Sequence, residues 1–137
     1  MSPFHQIDVL HHGRIVLLRR SPVSFPSVAE LQQERQLLVG ALNKLGRAGR
    51  GLLVDSRQAP HGTEERMRDE FCRFRHDVAR GFVAVATVVR TKVGMLQVRR
   101  LGYEQCSEVQ AFDDESAAIS YLLGQRRSAA PPAVRGR

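Results

Sequence analysis

The chain has 137 residues, 42% of them apolar and 6% aromatic, with a formal net charge of +7 at neutral pH. That length holds one domain around one core and excludes a second, and no stretch approaches the ~18 uninterrupted apolar residues of a membrane-spanning helix. Residues 1–124 carry 17 of the 21 basic residues and all 14 acidic ones, a net +3, while the last 13 residues add Arg126, Arg127, Arg135 and Arg137. The arginines are scattered and form no polybasic run, so nucleic acid is not expected as a partner.

Met1-Ser2-Pro3-Phe4-His5 has neither a basic flank with an apolar stretch nor a small-residue cleavage site, which points to the cytoplasm. Two isolated cysteines, Cys72 and Cys106, make no disulfide framework and read as free thiols.

Phe4 to Leu10 alternates in polarity and Ile15 to Leu18 is apolar, with His11-His12-Gly13-Arg14 between them, the pattern of a β-hairpin. Ser27 then precedes Val28, Leu31, Leu38, Leu42 and Leu45 on one helical face, broken at Arg35, with Glu30 at capping-box spacing. After the glycines at 46, 49 and 51, Leu52-Leu53-Val54 closes on Asp55 as a buried strand of a parallel sheet. Thr63 caps a second helix with an apolar stripe of Met67, Phe71, Phe74 and Val78, leaving Arg66, Arg68, Arg73 and Arg75 mostly toward solvent. Phe82 to Val89 is the most apolar, β-branched run and reads as the central strand. A short helix over Val93 to Leu101 and a last strand from Ser107 to Phe112 follow. Asp113-Asp114-Glu115 then puts negative charge at the start of a closing helix over Ala117 to Leu123. The predicted class is α/β in the order β-β-α-β-α-β-α-β-α: a single domain over 1–124 and a disordered basic Ala/Pro/Arg tail over 125–137.

This order, with Leu53-Val54-Asp55 ending one strand, Val83 to Val89 forming another, and Phe112-Asp113-Asp114-Glu115-Ser116-Ala117-Ala118 ahead of Tyr121-Leu122, resembles the STAS domain. It is most similar to the free-standing, antagonist-like bacterial members, the SpoIIAA-like proteins. The resemblance covers residues 4–124 and implies a mixed sheet of four to five strands with helices mainly on one face. It also implies a non-enzymatic role in which the domain binds another protein. Antagonist members are switched by phosphorylation of a serine in an Asp-Ser-x-Gly pattern at the start of the second helix. Here Asp55-Ser56 is followed by Arg57-Gln58, without the glycine, and the hydroxyl that matches by position is Thr63.

Open α/β sheets bind ligands beyond the carboxyl ends of their strands, which gathers Asp55, Ser56, Arg57, Thr63, Arg90, Thr91 and Lys92 at one edge. With the exposed arginines Arg66 and Arg68 of the second helix, these form the candidate binding surface. On that helix Glu64, Glu65, Asp69, Glu70 and Asp77 interleave with the arginines, which suits a protein interface better than nucleic acid. Cys72 and His76 share a helix face, but no second pair completes a zinc site, so neither metal nor cofactor is expected. His11 and His12 read as turn residues. Ser56, with His61 five residues on, lacks a Gly-x-Ser-x-Gly elbow, and no acid/base pair stands at a defined spacing, so an enzyme is the lowest-ranked reading. The expected function is a regulatory protein–protein interaction module. The alternative is a lipid- or anion-binding protein that meets acidic membrane surfaces, peripherally at most, or a small acidic ligand. Pairing of two copies through a sheet edge or the apolar strip around Met95 and Leu96 stays open.

Overall fold

The computed structural model of the chain describes residues 2–60, 67–91, 93, 94, 96 and 109–129. It opens with an antiparallel hairpin of β1 (His5–Leu10) and β2 (Ile15–Arg20), in register from His5 opposite Arg20 to Leu10 opposite Ile15. Its tip places His11, His12 and Gly13 consecutively in the left-handed region, at φ 53°, 56° and 86°. Only the glycine adopts that conformation without steric cost.

Helix α1 (Val28–Leu45) starts where the sequence places it, with the Ser27 hydroxyl accepting from the Glu30 amide at 3.2 Å. Leu31, Leu38 and Leu42 are buried as predicted, whereas Val28 is 40% exposed. The break in the apolar stripe has a structural cause. Glu34, on the inward face, is buried against His5, and Arg35 pairs with Asp77 of the neighbouring helix at 2.8 Å.

Strand β3 (Gly51–Asp55), helix α2 (Arg68–Ala79), strands β4 (Ala84–Val88) and β5 (Gln110–Phe112), and helix α3 (Glu115–Ala129) complete the described elements. The predicted stripe Met67, Phe71, Phe74 and Val78 is buried throughout. Helix α2, however, begins at Arg68 with Met67 as its N-cap and no side-chain bond there. Thr63, the predicted cap, and Arg66 lie outside the described residues. So do His61, Lys92, Met95, Cys106 and most of the predicted helix over Val93 to Leu101; Val93, Gly94 and Leu96 are helical. Cys72 is a free thiol.

The sheet has five strands in chain order, β1-β2-β3-β4-β5, antiparallel at the hairpin and parallel thereafter. The central strand is β3, not the more apolar β4. Strand hydrophobicity reports coverage on both faces, which β2, β3 and β4 all receive, and does not rank interior strands by position. Helices α1 and α2 pack on one face over Val16, Leu18, Leu52 and Val85, together with Phe25, Phe71 and Phe74. Helix α3 covers the other through Ala118 and Leu122, against Ile15, Leu17, Leu53, Ala86 and Val88. Two of the three described helices thus share a face.

The Asp114 carboxylate caps α3 by accepting from the Ala117 amide at 2.9 Å. The helix continues to Ala129, past Gly124, where the sequence placed the end of the ordered domain. Gln125, Arg126 and Arg127 are good helix formers, and they extend a helix that is already anchored by packing.

Gly51 is where α3 meets the sheet, since a Cβ there would lie 3.2 Å from Leu122 Cδ2 and 3.3 Å from its Cβ. Gly51→Val should cost about 1–3 kcal/mol through overpacking. By contrast, Gly40 lies inside α1, and a Cβ added there would meet nothing within 4 Å, so Gly40→Ala should stabilise by about 0.5–1 kcal/mol. Urea midpoints for both variants check the pair, and equal signs would contradict the packing.

Candidate functional site

Asp55 is the last residue of β3, level with Arg19 of β2 and Val88 of β4. Its side chain is 7% exposed and receives four donors. The Arg57 amide and Nε reach Oδ1 at 3.1 and 2.9 Å, and Arg57 Nη2 and Arg19 Nε reach Oδ2 at 2.9 and 3.1 Å. Arg57 Nη2 also donates to Glu115 Oε1 at 2.7 Å, so two arginines and two carboxylates from β2, β3, the following turn and α3 close one neutral network.

Burial alone would raise the Asp55 carboxyl, but the hydrogen bonds from Arg57 and Arg19 outweigh it and hold the group below its usual range. The same bonds, Asp55 first and then Glu115, hold the Arg57 guanidinium further above its already high value, against its partial burial. The consequence for ligand binding is direct. Arg57, named from sequence as a cation for a partner, commits Nε and Nη2 inside the fold, and an incoming anion would compete with two carboxylates.

The rest of the edge is built by the turns that leave β3 and β4. The Ser56 amide donates to the Val88 carbonyl at 2.9 Å and the Ala59 amide to the Ser56 carbonyl at 3.1 Å, which pins a turn with Ser56 half-buried. Arg90 and Thr91 are exposed two and three residues past β4, and the Thr91 hydroxyl accepts from the Gly94 amide at 2.9 Å. On α2, Arg68 and Asp69 are exposed, and Arg73 pairs with Glu70 at 3.0 Å. The structure therefore brings Asp55, Ser56, Arg57, Arg90 and Thr91 to one sheet edge. Arg19 and Glu115, which the sequence reading did not place in the candidate surface, complete its charge balance. Arg19 was open to inference, because a parallel β2–β3 pair ending in Arg19 and Asp55 sets opposite charges side by side.

A second polar cluster was missed altogether. His5 Nδ1 lies 2.6 Å from Glu34 Oε2, and the Ser2 hydroxyl donates to the same oxygen at 2.6 Å. His5 is buried, 5.5 Å from the Phe74 ring and 6.2 Å from that of Phe25. Burial pushes the imidazole below its usual value despite the pull of Glu34. Burial would lift the Glu34 carboxyl, but the bonds from His5 and Ser2 keep it low. At neutral pH a neutral His5 thus donates its Nδ1–H to a Glu34 carboxylate. Serine, histidine and glutamate meet here in the wrong order for nucleophilic catalysis. The carboxylate sits between the other two, and the imidazole does not contact the hydroxyl it would need to deprotonate.

Among the described residues, no group of three or more His, Cys, Asp or Glu side chains is placed to hold a metal ion, and no helix is long and apolar enough to cross a membrane. No protein-family model matches the chain, and no curated protein matches it. A solved structure does: the crystal structure of an uncharacterised DUF3478-family protein from Shewanella loihica PV-4 with a SpoIIAA-like fold. The two share 16% identity with a TM-score of 0.60, over 89% of this chain and 98% of that one. At that identity the likeness concerns the fold, and the fold of this chain is SpoIIAA-like, as the STAS resemblance implied.

Proposed function

We propose that this chain, with its SpoIIAA-like fold, is a non-enzymatic regulatory module that binds a protein partner at the carboxyl edge of its sheet. The surface comprises the Ser56–Arg57 turn, Arg90 and Thr91, and the exposed face of α2 at Arg68, with Thr63 and Arg66 joining it by sequence position. The observation that carries the reading is the neutral Arg19–Asp55–Arg57–Glu115 network, which fixes the edge rigidly while its exposed neighbours Arg68, Asp69 and Arg90 present charges of both signs. Mixed, fixed charge gives register and selectivity to a protein interface and offers little to a polyanion. Among the described residues the edge has no nucleophile beside a base, and the one buried histidine, His5, is committed to Glu34.

Since Arg57 is structural, the interface is best probed at Arg68 and Arg90. In affinity purification from native lysate, one protein should accompany the full chain and be depleted at least about tenfold by Arg68→Glu with Arg90→Glu, at an unchanged melting temperature. Undiminished capture of that protein by the double variant would reject the surface.

A further inference from the structure

At the opposite end of the sheet, the parallel strands begin level with one another: Ile15, Gly51 and Ala84 are register partners. The Gly51 amide donates to the Arg14 carbonyl and the Val83 amide to the Arg50 carbonyl, each at 2.9 Å, so Arg14 and Arg50 stand side by side just before the ladder. Four segments meet here: the hairpin tip, the C-terminal end of α1 with the loop after it, the C-terminal end of α2, and the last turns of α3, brought there by Leu122 against Gly51.

They carry Arg14, Lys44, Arg47, Arg50 and Arg80, with the exposed His11 and His12 on the tip; residues 10–15, 43–50, 79–83 and 122–129 contain no Asp or Glu. Two of these guanidiniums are held on carbonyls rather than paired with a carboxylate, and Arg47, whose Nε is bonded to Asn43 and whose Nη2 is buried, lends its charge and not a free fork. Arg47 Nη1 donates to the carbonyls of Asp77, Val78 and Arg80, and Arg50 Nη1 to those of Leu45 and Gly46. Carbonyls satisfy a guanidinium but leave its charge intact. Asp77 of α2 pairs with Arg35 and also attracts Arg47 electrostatically.

We propose that this end is a docking surface for the phosphate backbone of nucleic acid, bound without reading base sequence. Along the chain the arginines look dispersed, which pointed away from such a partner, but the fold gathers them. Arginine forks suit phosphate oxygens better than lysine does, and all but one of the cations named are arginine. An acidic membrane offers phosphates too, but surface-bound proteins bury an apolar face as well. The described large apolar side chains that are exposed, Val9, Val23, Val28, Leu37, Val93 and Leu96, all lie outside the four segments.

The test is fluorescence anisotropy of a labelled random-sequence DNA duplex with the full chain across a salt series. Parallel flotation uses vesicles of phosphatidylserine and phosphatidylcholine. Four phosphate contacts, from Arg14, Lys44, Arg50 and Arg80, predict a log–log salt slope of roughly −3 to −4. Arg14→Glu with Arg80→Glu should weaken duplex binding at least about tenfold, and Arg68→Glu with Arg90→Glu, an equal charge change at the far edge, less than about twofold. Lys44→Glu alone, on the exposed last turn of α1, should weaken it about threefold, which keeps the test valid if the double variant misfolds. No duplex binding at low salt, equal weakening by both doubles, or flotation with vesicles without duplex binding would each overturn the proposal.

Discussion

Asp55→Ala should destabilise the fold by about 2–4 kcal/mol and shift the thermal midpoint down by roughly 7–14 degrees, on the order expected for a domain of this size. Removing the carboxylate leaves the Arg57 amide without its Oδ1 acceptor and sets Arg19 and Arg57, both bound to it at about 3 Å, against one another beside Glu115. The loss stays below that of a fully buried ion pair because the two arginine side chains are 39% and 38% exposed and can rehydrate. Asp55→Asn should fall between wild type and alanine, since an amide oxygen accepts from the Arg57 backbone but carries no charge. Equilibrium urea denaturation of the three proteins decides the order, and an alanine variant within about 0.5 kcal/mol of wild type would show that the network contributes nothing to stability.

Glu34→Leu should cost about 2–3 kcal/mol, because it strands a buried imidazole N–H between aromatic rings. His5→Phe combined with Glu34→Leu should recover to within about 1 kcal/mol of wild type, as the site then becomes apolar next to Phe25 and Phe74. The pair also sets the acid response. Burial holds His5 below its usual value of 6.5, so as pH falls below that value the unfolded chain takes up a proton that the folded chain refuses. Stability from this group is therefore complete above about pH 6.5 and declines as pH drops through the folded pKa. Glu34, also lowered, adds a further loss below its usual value of 4.5. Urea midpoints across that range should slope downward toward acid in wild type and flatten between neutrality and pH 5 in the double variant. An unchanged slope would remove His5 from the account.

The elements were legible where local chemistry and packing agree. Ser27 capping α1, the Met67–Phe71–Phe74–Val78 stripe and the glycine-bounded Leu52–Leu53–Val54 run each follow from a periodicity or a cap that tertiary contacts reinforce. Charged residues that are structural were not legible, because their role depends on partners distant in sequence. The α1 stripe looked merely broken at Arg35, whereas the neighbouring Glu34 is held by His5, 29 residues away. Arg57 looked like a ligand contact but bridges Asp55 to Glu115, 58 residues on. Along the sequence the arginines read as scattered charges without a polybasic run. In the fold, Arg20, Arg47 and Arg50 tie down carbonyls at the end of β2 and the C-termini of α1 and α2, a task that a planar fork performs well. Convergence of Arg14, Arg47, Arg50 and Arg80 at one end depends on strand register, which no local pattern encodes.

The most direct test of the proposed function is hydrogen–deuterium exchange of the full chain with and without the protein that co-purifies with it. The account predicts slowed exchange over residues 56–60, 68–76 and 90–94, with the hairpin tip and residues 43–50 unchanged. Protection confined to the hairpin tip, residues 43–50 and residues 79–83 would contradict it, and would place the protein interface at the basic end.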